Sequence, residues 1–206
     1  MMMANRSPYR SPSYGSAIVN PEYCVPYSVD LIITKERTFG GHHFTVTDVN
    51  DAVVFTVKGP LVSILTPHAH RFLRDVNGTT ILHLRKSLLL LSGWEAYRGE
   101  SREQRDLIFT REPPQLFQRG TKMKVFLANN NTQVCDFKLV KASFFGRSWI
   151  VTIAESDTVV AQITHKIGSI VSREKFMITV SPNIDYAFIV ALTVTLEDHL
   201  RRRRST

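Results

Sequence analysis

A chain of 206 residues and 23.4 kDa is long enough for one folded domain with short extensions. Hydrophobic residues make up 43% and charged residues 21%, which excludes a largely disordered chain, a collagen and a disulfide-stapled miniprotein. Lys and Arg total 26 against 18 Asp and Glu, and the net charge of +8 points first to an anionic partner, a nucleic acid or a membrane surface.

Residues 1–26 are rich in Ser, Pro, Tyr and Arg and offer little to bury. Arg6-Ser7-Pro8-Tyr9 is echoed by Arg10-Ser11-Pro12-Ser13. The stretch reads as a disordered tail, and its Ser-Pro pairs are places where phosphorylation could act. No apolar secretory segment follows Met1. Cys24 and Cys135 form no C-x-x-C pair, so neither a zinc site nor a disulfide framework is expected. The expectation is an intracellular, cytoplasmic protein, peripheral to a membrane or nuclear as variants.

From Tyr27 the pattern changes to strand, turn, strand. Val29-Leu31-Ile33 and Phe44-Val46 lead into Asp48-Val49-Asn50-Asp51, and Val53-Phe55-Val57 leads out. The device recurs at Asp75-Val76-Asn77-Gly78, at Asn129-Asn130-Asn131 and at Glu155-Ser156-Asp157, each between alternating apolar runs. Leu88–Leu91 and Leu107–Phe109 read as two further strands, joined by a charged connection through Arg98 and Glu103. Pro113-Pro114 marks a seam between two halves of the sheet system. The repetition predicts an antiparallel meander, hence a sandwich or a closed barrel.

The run Tyr186–Leu196 breaks this pattern. Its eleven residues would reach about 16 Å as a helix, short of the ~30 Å of a bilayer core, so it reads as a buried element and not a membrane span. Asn183 or Asp185 can cap its N-terminus. A helix that is apolar on every face must be enclosed on every face, which suggests a helix threaded through a barrel over about 185–199. It ends in Arg201-Arg202-Arg203-Arg204, a charge that suits a helix C-terminus.

Several of these segments resemble the plant LURP-one-related family: Ser181-Pro182-Asn183, Asp185-Tyr186-Ala187-Phe188-Ile189-Val190-Ala191-Leu192, Trp94-Glu95-Ala96-Tyr97-Arg98-Gly99, Lys124-Val125-Phe126-Leu127-Ala128, Cys135-Asp136-Phe137-Lys138 and Val159-Val160-Ala161-Gln162. Together they cover residues 27–200 in order. The resemblance implies a mainly β, tubby C-terminal-like fold: a closed antiparallel barrel of about 12 strands around a hydrophobic C-terminal helix. It also implies a link to plant basal defence, and kinship with phospholipid scramblases and with tubby-like membrane-tethered regulators that bind phosphoinositides. It supplies no catalytic residues. The basic tail, 201–206, is not part of it.

Residue chemistry adds little specificity. His68 and His70 share a strand face and His42-His43 lies in a Gly-flanked loop, but metal sites need three or four convergent ligands. No hydrolase elbow, P-loop or dinucleotide turn is present. No catalytic, cofactor-binding or metal-ligating residue is therefore singled out. The candidate contacts to anionic head groups are Arg85, Lys86, Arg119, Lys122, Lys124 and Arg201, Arg202, Arg203 and Arg204, each worth on the order of 1 kcal/mol near an anionic bilayer. The leading expectation is a non-enzymatic binding module for lipid head groups or a protein partner. A nucleic-acid-associated transcriptional regulator and a ligand-free scaffold are the alternatives, although no stacking motif or recognition-helix pattern favours nucleic acid. Residues 1–26 carry +1 and Arg201–Arg204 carry +4, so only +3 remains for residues 27–200.

Overall fold

Apolar residues at every second position build twelve strands, each antiparallel to the one before, in the computed structural model, which describes residues 17–36, 43–59, 70–87, 93–114, 122–142, 147–168 and 173–202 (backbone alone for 201 and 202). The strands are β1 (Val29–Lys35), β2 (Phe44–Thr47), β3 (Val53–Lys58), β4 (His70–Arg74), β5 (Thr80–Lys86), β6 (Trp94–Arg98), β7 (Leu107–Arg111), β8 (Lys122–Leu127), β9 (Phe137–Lys141), β10 (Ser148–Ile153), β11 (Val159–Lys166) and β12 (Lys175–Val180). β12 returns to β1, with Val29 opposite Val180 and Ile33 opposite Phe176, so the sheet closes and leaves no free edge. One helix, α1 (Tyr186–Arg202), fills the axis.

Inward positions such as Leu31, Ile33, Val46, Phe55, Leu84, Phe109, Val125 and Leu139 are fully or almost fully buried, and so is every residue of α1 from Ala187 to Leu196. Phe188 lies between Phe109 and Phe137, with ring centroids 5.2 and 5.0 Å away. Two threonines survive in this apolar setting because the helix satisfies them. The Thr193 hydroxyl donates to the Ile189 carbonyl at 2.9 Å, and that of Thr195 to Leu192 at 2.8 Å.

The two ends of the barrel differ. At one end the hairpins close tightly. Asp48 Oδ1 accepts from the backbone N–H groups of Asn50 and Ala52, and Asp75 Oδ1 does the same for Asn77 and Thr79, all at 2.8–2.9 Å. Asp51, Gly78 and Asp157 take up positive φ in these turns, as the Asn/Asp/Gly pattern predicts. The helix begins at this end. The other end holds the helix C-terminus and the remaining hairpin connections.

Four expectations change. Residues 17–26 are not a loose tail: Val19 and Tyr23 are buried, Pro21–Tyr23 forms a 3-10 turn, and Tyr23 packs edge-on against Phe55 and Tyr186. Pro113-Pro114 marks no seam, because β7 pairs directly with β8, Phe109 opposite Leu127 and Arg111 opposite Val125. The helix runs on to Arg202, three residues beyond 199. β6 and β12 are strands that the alternation reading passed over. Residues 1–16 and Leu88–Leu91 lie outside the described residues.

Candidate functional site: the basic end of the barrel

At the end where α1 finishes, inward strand positions change from aliphatic to charged. Lys35, Arg71, Lys86 and Arg111 close β1, β4, β5 and β7 at this end, and they face Glu197 and Asp198 of the helix and Glu174 before β12. Arg71 Nη2 meets Glu197 Oε2 at 3.0 Å and its Nη1 donates to the Val194 carbonyl. Lys35 Nζ lies 2.6 Å from Glu197 Oε1 and 3.5 Å from Glu174 Oε2. Lys86 Nζ reaches Asp198 Oδ2 at 3.2 Å, and His165 Nε2 lies 2.6 Å from Glu174 Oε1. The guanidinium of Arg71 also stacks over Trp94 and Phe44, at 5.0 and 5.4 Å. These cations sit against the carbonyl end of the helix, where positive charge is favoured.

On the outside of the same end basic residues gather, and the acid beside them, Glu36, is taken up by Arg173 at 2.6 Å. Lys122 and Lys124 of β8, Lys141 of β9, Arg147 before β10, Lys166 of β11 and Lys175 of β12 lie on five consecutive strands. None of the six has an ion-pair partner among the described residues. Two lysine pairs stand directly opposite each other across strands, Lys166 with Lys175 and Lys124 with Lys138. Directly opposed like charges destabilise a sheet. Lys138 is drawn off toward the tight turns, where it binds Asp157 at 2.8 Å, but the first pair has no such outlet. A surface cavity of about 470 Å³ lined by Thr34, Glu36, Thr45, Arg173 and Lys175 adjoins it. The acids Asp48, Asp51, Asp75, Glu100, Glu103 and Glu155 lie at the opposite, tight-turn end. The barrel is therefore polar along its axis, which a net charge cannot reveal.

The residues proposed from sequence divide accordingly. Lys122 and Lys124 belong to this rim. Arg85 does not: it is held by Glu95 at 2.5 Å and by the Tyr97 hydroxyl at 2.7 Å, and the carboxylate hydrogen bond raises its pKa further. Lys86 turns inward to Asp198. Arg201 and Arg202 are the last residues of α1, whereas Arg119, Arg203 and Arg204 lie outside the described residues. Sequence reasoning missed Lys58, Lys141, Arg147, Lys166 and Lys175. Their shared signal is position, at a strand terminus on one end of the meander.

Two of the histidines, His70 and His83, form a pair. His70 Nδ1 lies 2.8 Å from His83 Nε2, and His83 Nδ1 lies 2.9 Å from the Ser101 carbonyl oxygen. A carbonyl only accepts, so His83 Nδ1 carries the proton, its Nε2 accepts, and His70 Nδ1 donates. His68 lies outside the described residues. Burial lowers the His83 pKa, the Ser101 bond opposes this, and Arg102 and Arg85 add to the fall. Because the folded ring resists protonation, the unfolded chain binds more protons below about pH 6.5. This contribution to stability is complete above that pH and is lost as pH falls through it. The urea midpoint should accordingly be lower at pH 5.5 than at 7.5, and His83→Gln should shrink the difference.

Comparison with known proteins places the whole barrel. The LURP-one-related family model matches residues 29–197. The chain belongs to the LURP-one-related family. It is 38% identical over 201 residues to Protein LURP-one-related 15 of Arabidopsis thaliana, covering 95% of this chain and 91% of that protein. With Protein LURP-one-related 10 of the same plant the identity is 42% over 189 residues, covering 88% and 95%. An X-ray structure of an Arabidopsis thaliana protein, 38% identical, superposes with a TM-score of 0.69 over 89% of this chain and 98% of the other. The LURP-one-related relatives are named for membership and not for a reaction. Among the described residues no helix is long and apolar enough to cross a membrane.

Proposed function

We propose that this LURP-one-related chain is a non-enzymatic intracellular binding module whose basic rim docks on anionic phospholipid head groups, phosphoinositides among them, in defence signalling. The observation that carries the reading is the Lys166–Lys175 pair, two opposed cations with no carboxylate to separate them, on a five-strand arc of unpaired basic residues. An anion bound between them would relieve their repulsion. The cavity beside Lys175 offers room for a head group. The kinship with tubby-like and scramblase proteins that the family resemblance implies is in keeping with the same reading.

Flotation with vesicles containing phosphatidylserine or phosphoinositide tests it. Wild-type protein should float with these vesicles at low salt and not with neutral ones. Replacing Lys166 and Lys175 by alanine should weaken partition about 30-fold, from about 1 kcal/mol per lysine, with the urea midpoint unchanged or raised. Binding to neither vesicle sinks the proposal. Retention on duplex DNA with a steep salt slope would move the reading to a nucleic-acid-associated regulator.

A further inference from the structure

Arg111 closes β7 inside the basic end, directly opposite Trp94 of β6. Both are sealed from solvent, at 1% and 0% exposure. The Arg111 guanidinium contacts only neutral groups: the Glu112 carbonyl at 3.3 Å, Met123 Sδ at 3.1 Å and the Thr195 carbonyl at 3.5 Å. No carboxylate lies within ion-pair distance of it among the described residues. Arg111 Nε and Trp94 Nε1, on residues that stand opposite each other in the register, have no acceptor. Burial lowers the Arg111 pKa to about 10, the charge of Asp198 opposing the fall and that of Arg71 adding to it, so the group is still charged at neutral pH. The carboxylates that could answer it are already shared, Asp198 with Lys86 and Glu197 with Arg71 and Lys35. A buried charge with no carboxylate in contact, and with orphaned donors at and beside it, is costly to hold.

We infer that the interior of the basic end binds a small monovalent anion of the halide class, chloride in a cell, between Arg111 and Trp94. One negative charge neutralises the cation in excess, and a spherical ion is satisfied by two N–H donors. A sulfate or phosphate would bring more charge than the one excess cation and more oxygens than these two donors satisfy. The site is independent of the lipid reading, since it lies inside the barrel and the proposed head-group rim lies outside.

Thermal unfolding of the full chain in sodium chloride, bromide and gluconate at equal ionic strength tests the site. Chloride and bromide should raise the midpoint saturably, by about 5 °C at a hundredfold excess over Kd, relative to gluconate. Arg111→Met should abolish that increment. Should Arg111→Met fail to fold, wild-type crystals soaked in bromide should show an anomalous peak within hydrogen-bond distance of Arg111 Nε and Trp94 Nε1. Equal midpoints in all three salts, or bromide density elsewhere only, would overturn the inference. So would a halide increment that persists in Arg111→Met.

Discussion

Asp185→Ala should destabilise the protein by about 4 kcal/mol, read from urea unfolding, because one carboxylate joins two distant parts of the chain. Its Oδ1 accepts from the Phe188 N–H at 3.1 Å and caps α1. Its Oδ2 accepts from Ile18, Val19 and Asn20 at 3.1, 2.6 and 3.2 Å, which holds the N-terminal segment over the helix entrance. Burial pushes the Asp185 carboxyl up from the ordinary range, and the four N–H donors pull against that. Alanine would leave all four donors without their acceptor; the cap accounts for about 1 kcal/mol and the buried donors for the remainder. Asp185→Asn keeps one oxygen and should cost about half as much. The loss has a local signature too. Cys24, which bridges to Asp185, is a half-buried free thiol, and labelling of it should accelerate in Asp185→Ala before global unfolding begins. An unchanged midpoint in the alanine variant would refute the clasp.

Phe188→Ala should be as damaging, at about 4 kcal/mol, and Leu192→Ala about 3 kcal/mol, because neither cavity can collapse inside a closed sheet. Phe188 is wedged between Phe109 and Phe137, on strands fixed by pairing on both sides, so the walls cannot follow the lost ring inward. Val159→Ala, at a residue 40% exposed, is the control and should stay within about 0.5 kcal/mol of wild type. Equal stability of Phe188→Ala and wild type would mean that α1 is not enclosed.

The parts of this fold that could be read in advance are those written locally. Asp48-Val49-Asn50-Asp51 and Asp75-Val76-Asn77-Gly78 specify their own turns through bonds spanning two to four residues. An eleven-residue apolar run likewise states that it must be enclosed. What could not be read is held by distant partners. Lys86 looked like half of a surface patch with Arg85, yet alternate strand positions point opposite ways, and the partner of Lys86 is 112 residues further on. The segment at Ile18–Asn20 lacks the apolar density of a core element because its anchor is a carboxylate about 166 residues away. The basic rim was half legible. Lys122 and Lys124 stand together in the sequence, but Lys166 meets Lys175 only through the β11–β12 register.

The first and last described segments lie at opposite poles of the barrel, separated by a helix of about 25 Å. Ile18 lies beside the tight turns and Arg202 beside the lysine rim. A tether fixed at Arg202 would therefore tie the lysine face close to whatever it is anchored to. One fixed at Ile18 would hold that face outward. For immobilisation, fluorescent fusion or single-molecule pulling, the choice of terminus decides which pole of the molecule is presented.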